Sequence, residues 1–97
     1  MDKMIHLNNL YDFYHLLFNE KQCKIYEEYY FKNLSLAEIA ENNDVSRNAI
    51  HKLLKGIEEK LYKYEKNLRL YEKSLKLIQI IEKEKDLDLK KQLKNLL

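Results

Sequence analysis

Apolar residues in the first eighteen positions recur at helical spacing. Leu7, Leu10, Tyr11, Tyr14, Leu17 and Phe18 share one face of a first helix. Asn19 then offers a cap, with Gln22 three residues on to complete a weak capping box. The second helix carries Cys23, Tyr26, Tyr29 and Tyr30 as its apolar face, and Asn33, which tolerates left-handed backbone, ends it. Ser35 with Glu38 makes a stronger capping box for a third helix, whose inward residues are Leu36, Ile39 and Ala40. Ala40 provides the small residue that two helices crossing at a steep angle require. The polar run Asn42-Asn43-Asp44 can turn the chain, because Asn and Asp visit positive φ more readily than other residues with a side chain. Val45 is expected to pack inward, Ser46 to cap a fourth helix, and Ile50 and Leu53 to hold that helix on the core.

From Ile50 the pattern lengthens. Ile50, Leu54, Ile57, Leu61, Tyr64, Leu68, Tyr71, Leu75 and Ile78 alternate steps of four and three, which is the spacing of a coiled-coil seam. Leu53, Tyr62, Leu70, Leu77 and Ile80 widen the stripe beyond what a two-stranded zipper needs. The spacing therefore predicts one long helix, or two broken near Asn67, packing on the N-terminal bundle or on a partner. Gly56 interrupts the run with either a close helix approach or a break. After the charged stretch 82–86, Asp86 or Asp88 can cap a short last helix bearing Leu89, Leu93, Leu96 and Leu97. So short a helix is unstable alone and should dock on something.

The chain thus reads as all-α. Residues 1–57 form a helical bundle containing a helix-turn-helix at 35–56, and residues 58–97 form a C-terminal helical extension. The extension supplies a homodimer seam of Ile57, Leu61, Tyr64, Leu68, Tyr71, Leu75 and Ile78. One glycine and no proline in 97 residues leave little for β turns, which supports the same class.

Charge qualifies the picture. The net charge of +2 would steer a polyanion only weakly. Three basic and three acidic groups cancel within 35–56, while 57–97 carries eleven basic against eight acidic groups. No apolar stretch approaches the length of a membrane span, and MDKMIHLNNL does not resemble a secretory leader, so a cytoplasmic protein is expected. Cys23 stands alone, and His6, His15 and His51 are too scattered for a helical metal site. The acidic neighbours Glu27-Glu28 and Glu58-Glu59 diverge around a helix and read as solvated faces. Tyr11, Tyr14, Tyr26, Tyr29 and Tyr30 lie on apolar stripes and read as core, with hydroxyls at the rim. No catalytic constellation is present, and no cofactor or metal is expected.

The helix-turn-helix remains as the candidate site. In such motifs the second helix enters the major groove and presents its early residues to base edges. Its outward positions here are Arg47, Asn48, His51, Lys52 and Lys55. Arg can pair with guanine and Asn with adenine, while lysines meet phosphates. Glu38, Glu41 and Asp44 oppose them.

The run NEKQCKIYEEYYFKNLSLAEIAENNDVSRNAIHKLL resembles region 4 of bacterial sigma factors. LNNLYDFYHLLFNEKQ, LSLAEIAE and VSRNAI, followed by a Glu/Lys-rich tail, are more closely similar to the YlxM family of small bacterial proteins. That resemblance implies a sigma-region-4-like bundle, a dimer, and a regulatory or accessory role in the signal recognition particle pathway. The expected partners are the particle's RNA or its protein components, or DNA. The alternative is a sigma-like transcription regulator that binds DNA.

Overall fold

A computed structural model describes residues 2–97. Among them the chain forms helices and no strand: α1 (Asp2–Tyr14), α2 (Glu20–Tyr30), α3 (Leu36–Asn42), α4 (Arg47–Leu68), α5 (Leu70–Glu82) and α6 (Leu87–Lys94). A 3-10 turn, His15–Leu17, joins α1 to α2. That tighter turn corrects one expectation. It takes Leu17 off the α1 face and leaves it 56% exposed, while the extended backbone of Phe18 brings its ring into the core.

The local signals at helix starts are realised. Asn19 accepts from the Gln22 backbone N–H at 2.8 Å, and the Gln22 side chain accepts from the Asn19 N–H at 3.0 Å. Asn33 adopts φ 55° after α2. Face assignment on α2 is less simple. Ile25, Tyr26 and Glu28 are the buried residues, whereas Cys23, Tyr29 and Tyr30 are half-buried. The reason is that α2 is covered on two sides, so no single stripe describes its burial.

Two apolar clusters share α4. Leu7, Leu10, Tyr11, Tyr14, Phe18 and Tyr26 pack with Ile57 and Leu61. Ile25, Ile39 and Ala40 pack with Ile50 and Leu54. The first half of the expected seam is therefore internal. Ile57 and Leu61 are buried by this chain's own α1 and α2 and are not free to face a partner. Val45, expected inside, is 36% exposed, because the turn before α4 holds it at the edge.

The helix passes through Gly56 unbroken, and a Cβ built there would meet nothing within 4 Å. Gly56 is neither a close approach nor a break. The break comes at Arg69, two residues beyond Asn67, in left-handed backbone (φ 52°, ψ 34°). Arg69 makes no side-chain cap for α5. Glu65 does so from the preceding helix, accepting from the N–H groups of Tyr71 at 3.1 Å and Glu72 at 3.0 Å. The Tyr14 hydroxyl accepts from the Leu70 N–H at 3.0 Å and donates to Glu65 at 2.6 Å. Three of the first free donors of α5 are thus satisfied by tertiary partners.

Tyr71 ties α5 to α1. Its hydroxyl accepts from Asn9 at 3.1 Å, and its ring lies 5.9 Å from those of His6 and Phe13. Beyond it the arm has little cover. Leu75, Leu77, Ile78 and Ile80 are exposed, and Ile81 is the buried residue of α5, near where α6 turns back. Asp86 caps α6, but Leu89, Leu96 and Leu97 stay exposed and Leu93 is only half-buried, so the expected apolar face of α6 is largely uncovered. The arm makes the molecule long, 55 × 25 × 25 Å. Its radius of gyration is 17.1 Å, against about 13 Å for a compact chain of this size.

Tyrosine hydroxyls join the helices. Besides Tyr14 to Glu65, Tyr11 donates to Glu27 at 2.6 Å, Tyr26 to Asn8 at 2.7 Å and Tyr30 to Glu58 at 2.8 Å. Burial is the main cause that pushes the hydroxyls of Tyr11, Tyr14, Tyr26 and Tyr30 above their ordinary value of 10.0, and the neighbouring carboxylates add to it.

Two outcomes follow from this packing. Gly56→Ala should raise stability by about 1 kcal/mol, since it supplies helix propensity without a clash; a thermal melt should move up by roughly 4–8 °C. The raised tyrosine values give stability that is full below the unfolded-state value of about 10 and is lost as pH rises above it. The urea midpoint should therefore hold to about pH 9 and fall by about pH 11, with tyrosinate absorbance growing in step with unfolding.

Candidate nucleic-acid interface

The motif consists of α3, the turn 43–46 and the start of α4. Its first helix is fixed by a full capping box. The Ser35 hydroxyl accepts from the Glu38 N–H at 3.1 Å, and the Glu38 carboxylate accepts from the Ser35 N–H at 3.0 Å. The Ser35 backbone bond, followed by the Ser35 side-chain bond, holds the Glu38 carboxyl below its usual range. Asp44 takes φ 55°, and the Val45 N–H donates to the Ala40 carbonyl at 3.1 Å, closing the end of α3. Ser46 then caps α4, accepting from the Ala49 N–H at 3.1 Å. Ala40 sits at the crossing, 6% exposed, beside Ile39 and Ile50 at 0%.

A buried carboxylate secures the turn from outside the motif. Glu28 of α2 is 4% exposed. It accepts from the side-chain amides of Asn42 at 3.2 Å and Asn43 at 3.3 Å. The Asn43 amide also donates to the Ile39 carbonyl at 2.7 Å, and its oxygen accepts from Lys24 at 3.4 Å. This corrects the reading of Glu27, Glu28 and Glu58 as solvated acids, while Glu59 is exposed as expected. Glu27 and Glu58 take tyrosine hydroxyls, Glu58 also pairs with Lys3 at 3.6 Å, and Glu28 clamps the turn. Adjacent residues on a helix point apart, but here α2 has neighbours on both sides. The partners of Glu28 lie fourteen and fifteen residues away, so no local spacing marks them.

The outward face is open. Arg47, Asn48, His51, Lys52 and Lys55 are all exposed and lie within the first turns of α4. From 47 to 55 the helix rises about 12 Å, comparable with the width of a B-DNA major groove. The ion pairs among the described residues, Lys3 with Glu58 and Lys76 with Glu72, involve none of the five. The opposing acids Glu38, Glu41 and Asp44 are exposed as well, so they stand beside this face without being neutralised inside the protein. On its flank, His51 and Lys55 border an open groove of about 660 Å³ with Lys3, Met4, Tyr29 and Leu36.

The seven expected seam residues are divided. Ile57 and Leu61 lie in the core, Tyr64 and Tyr71 are half-buried on α1 side chains, and Leu68, Leu75 and Ile78 are exposed by 46%, 44% and 39%. Among the described residues no three or more His, Cys, Asp or Glu side chains gather as a metal site would require, and no helix is long and apolar enough to cross a membrane.

Comparison with known proteins gives this architecture a family. Residues 1–97 match the family model UPF0122, described as "Putative helix-turn-helix protein, YlxM / p13 like". The chain belongs to the UPF0122 family. A UPF0122 protein of Shouchella clausii is 47% identical over 65 residues, covering 67% of this chain and 60% of the relative. One from a Geobacillus species is 40% identical over 91 residues, covering 94% and 83%. A third, from Malacoplasma penetrans, is 42% identical over 84 residues, covering 87% and 78%. The match thus spans about three-fifths of the Shouchella protein's length and more of the other two. In UPF0122 terms the recognised feature is the helix-turn-helix.

The Glu28 clamp is testable. Glu28→Gln places an amide donor against the Asn42 or Asn43 donors and should cost about 1–3 kcal/mol. A urea titration measures that loss, and amide hydrogen exchange over residues 42–46 should speed up more than exchange in α1.

Proposed function

We propose that this protein is a nucleic-acid-binding accessory factor of the signal recognition particle pathway that works as a homodimer. The observation that carries the reading is the outward face of α4. Arg47, Asn48, His51, Lys52 and Lys55 are exposed together on a helix start fixed by the Ser46 cap and by the Glu28 clamp. Such a face combines groups that reach base edges with groups that neutralise phosphates. Three cations beside three acids make a modest electrostatic grip, which suits an accessory contact within a larger particle better than tight independent binding. The family resemblance points to the particle's RNA or its protein components, and the basic residues of the α4 face favour the RNA. Pairing with a second copy is supported by the exposed apolar residues of the arm, with Leu68, Leu75 and Ile78 in place of the full seam.

A second reading is a sigma-like DNA-binding regulator. It is favoured by the position of Arg47 and Asn48 at the first turn of α4, where helix-turn-helix readers meet bases.

Binding to the particle's RNA and to random duplexes over a salt series separates the two. Under the first reading the RNA is retained at low salt. The double substitution Lys52→Ala and Lys55→Ala then weakens binding about tenfold and lowers the salt slope by about 2. If neither the RNA nor the particle's protein is retained at low salt, the first reading fails. Under the second, selection enriches a sequence, and Arg47→Ala relaxes preference at one base position by about 1–3 kcal/mol. Selection without enrichment, with Arg47→Ala binding like the parent, removes it.

A further inference from the structure

The apolar spacing and the backbone disagree at one place. Leu61, Tyr64, Leu68, Tyr71, Leu75 and Ile78 keep the alternation of three and four without a fault, yet the helix breaks between Leu68 and Leu70. The pattern is that of one continuous helix, and the structure contains two.

The bent form is held by the Glu65 carboxylate on the first amides of α5, by the Tyr14 hydroxyl on Leu70, and by Tyr71 seated on α1. Against it stands Arg69, which has a Cβ and occupies left-handed backbone that glycine adopts at no steric cost. If the helix ran straight, the amides of Leu70, Tyr71 and Glu72 would bond to carbonyls four residues back, as in any α-helix. Each of these backbone donors therefore has a partner in either form. Straightening would also bring Leu68, Leu75 and Ile78, exposed in the bent form, into one stripe with Tyr64.

We infer that Arg69 is the hinge of a two-state element, bent in the single chain and straight when a second copy packs along the stripe. A seven-residue repeat selects a partner helix of the same period, and this chain carries that period itself. The inference rests on the pairing proposed above and adds a conformational change to it. Dimerisation would then alter the arm while α3 and the start of α4, which pack in the other cluster, keep their geometry.

The test is a distance measured inside one chain. Spin labels are placed through Glu59→Cys and Lys83→Cys in a Cys23→Ala background, and the labelled chain is diluted into excess unlabelled protein. A straight helix sets the two backbones about 36 Å apart, and the bent form sets them closer. The short distance should dominate in dilute protein and give way to the long one as light scattering shows the dimer forming. Arg69→Gly favours left-handed backbone and weakens a continuous helix, so it should raise the bent-to-straight ratio about tenfold. Glu65→Ala removes the borrowed cap and should lower that ratio about fivefold. A dimer that keeps the short distance in the parent and both variants overturns the hinge and leaves the pairing intact. A chain that stays monomeric throughout overturns the pairing and the hinge with it.

Discussion

Every helix of the bundle buries its apolar face against one stripe of α4. Ile50 and Leu54 close the cluster that holds α2 and α3, and Ile57 and Leu61 close the cluster that holds α1. A chain of this length supports only a small core, so little apolar surface is left over to cover anything else. Two consequences follow. The start of α4 is anchored firmly enough to project a fixed set of side chains outward. Its middle has used Ile57 and Leu61 inside the bundle before the arm begins, which leaves Leu68 and the faces of α5 and α6 exposed.

Polar groups then decide how the helices meet. Five tyrosine hydroxyls bond between elements, three of them to carboxylates, and Glu28 reaches from α2 into the turn of the motif. Such bonds add modest net stability, but breaking one leaves a half-buried acceptor without a partner. They therefore act most strongly on geometry. The Tyr14–Glu65–Leu70 group is the clearest instance, since it makes a helix start where Arg69 provides no cap of its own.

The same helix links the two proposed surfaces. Arg47, Asn48, His51, Lys52 and Lys55 face outward beside the turn, and some twenty ångströms along the axis the helix reaches the Arg69 junction. A partner at the arm and a polynucleotide at the motif would thus contact one rigid element at its two ends. The acids Glu38, Glu41 and Asp44 keep the motif's own charge low, so avidity from two copies would matter more here than in a strongly basic reader.

Much of the fold was legible from short-range chemistry. The capping boxes at Asn19 and Ser35, the Ser46 cap, the positive φ at Asn33 and Asp44, and the all-helical class each depend on residues within about four positions of one another. The outward placement of Arg47 through Lys55 followed from the same periodicity. The burial of Glu28, the loss of Ile57 and Leu61 from the seam, the exposure of Leu17 and Val45, and the break at Arg69 did not follow from it. Sequence by itself determined where helices start and which residues can share a face, because those are local interactions with a fixed period. Tertiary structure alone decided which faces meet, which acids are covered and where the long helix bends. Those outcomes rest on contacts between separate elements, up to sixty-two positions apart, which no periodicity encodes.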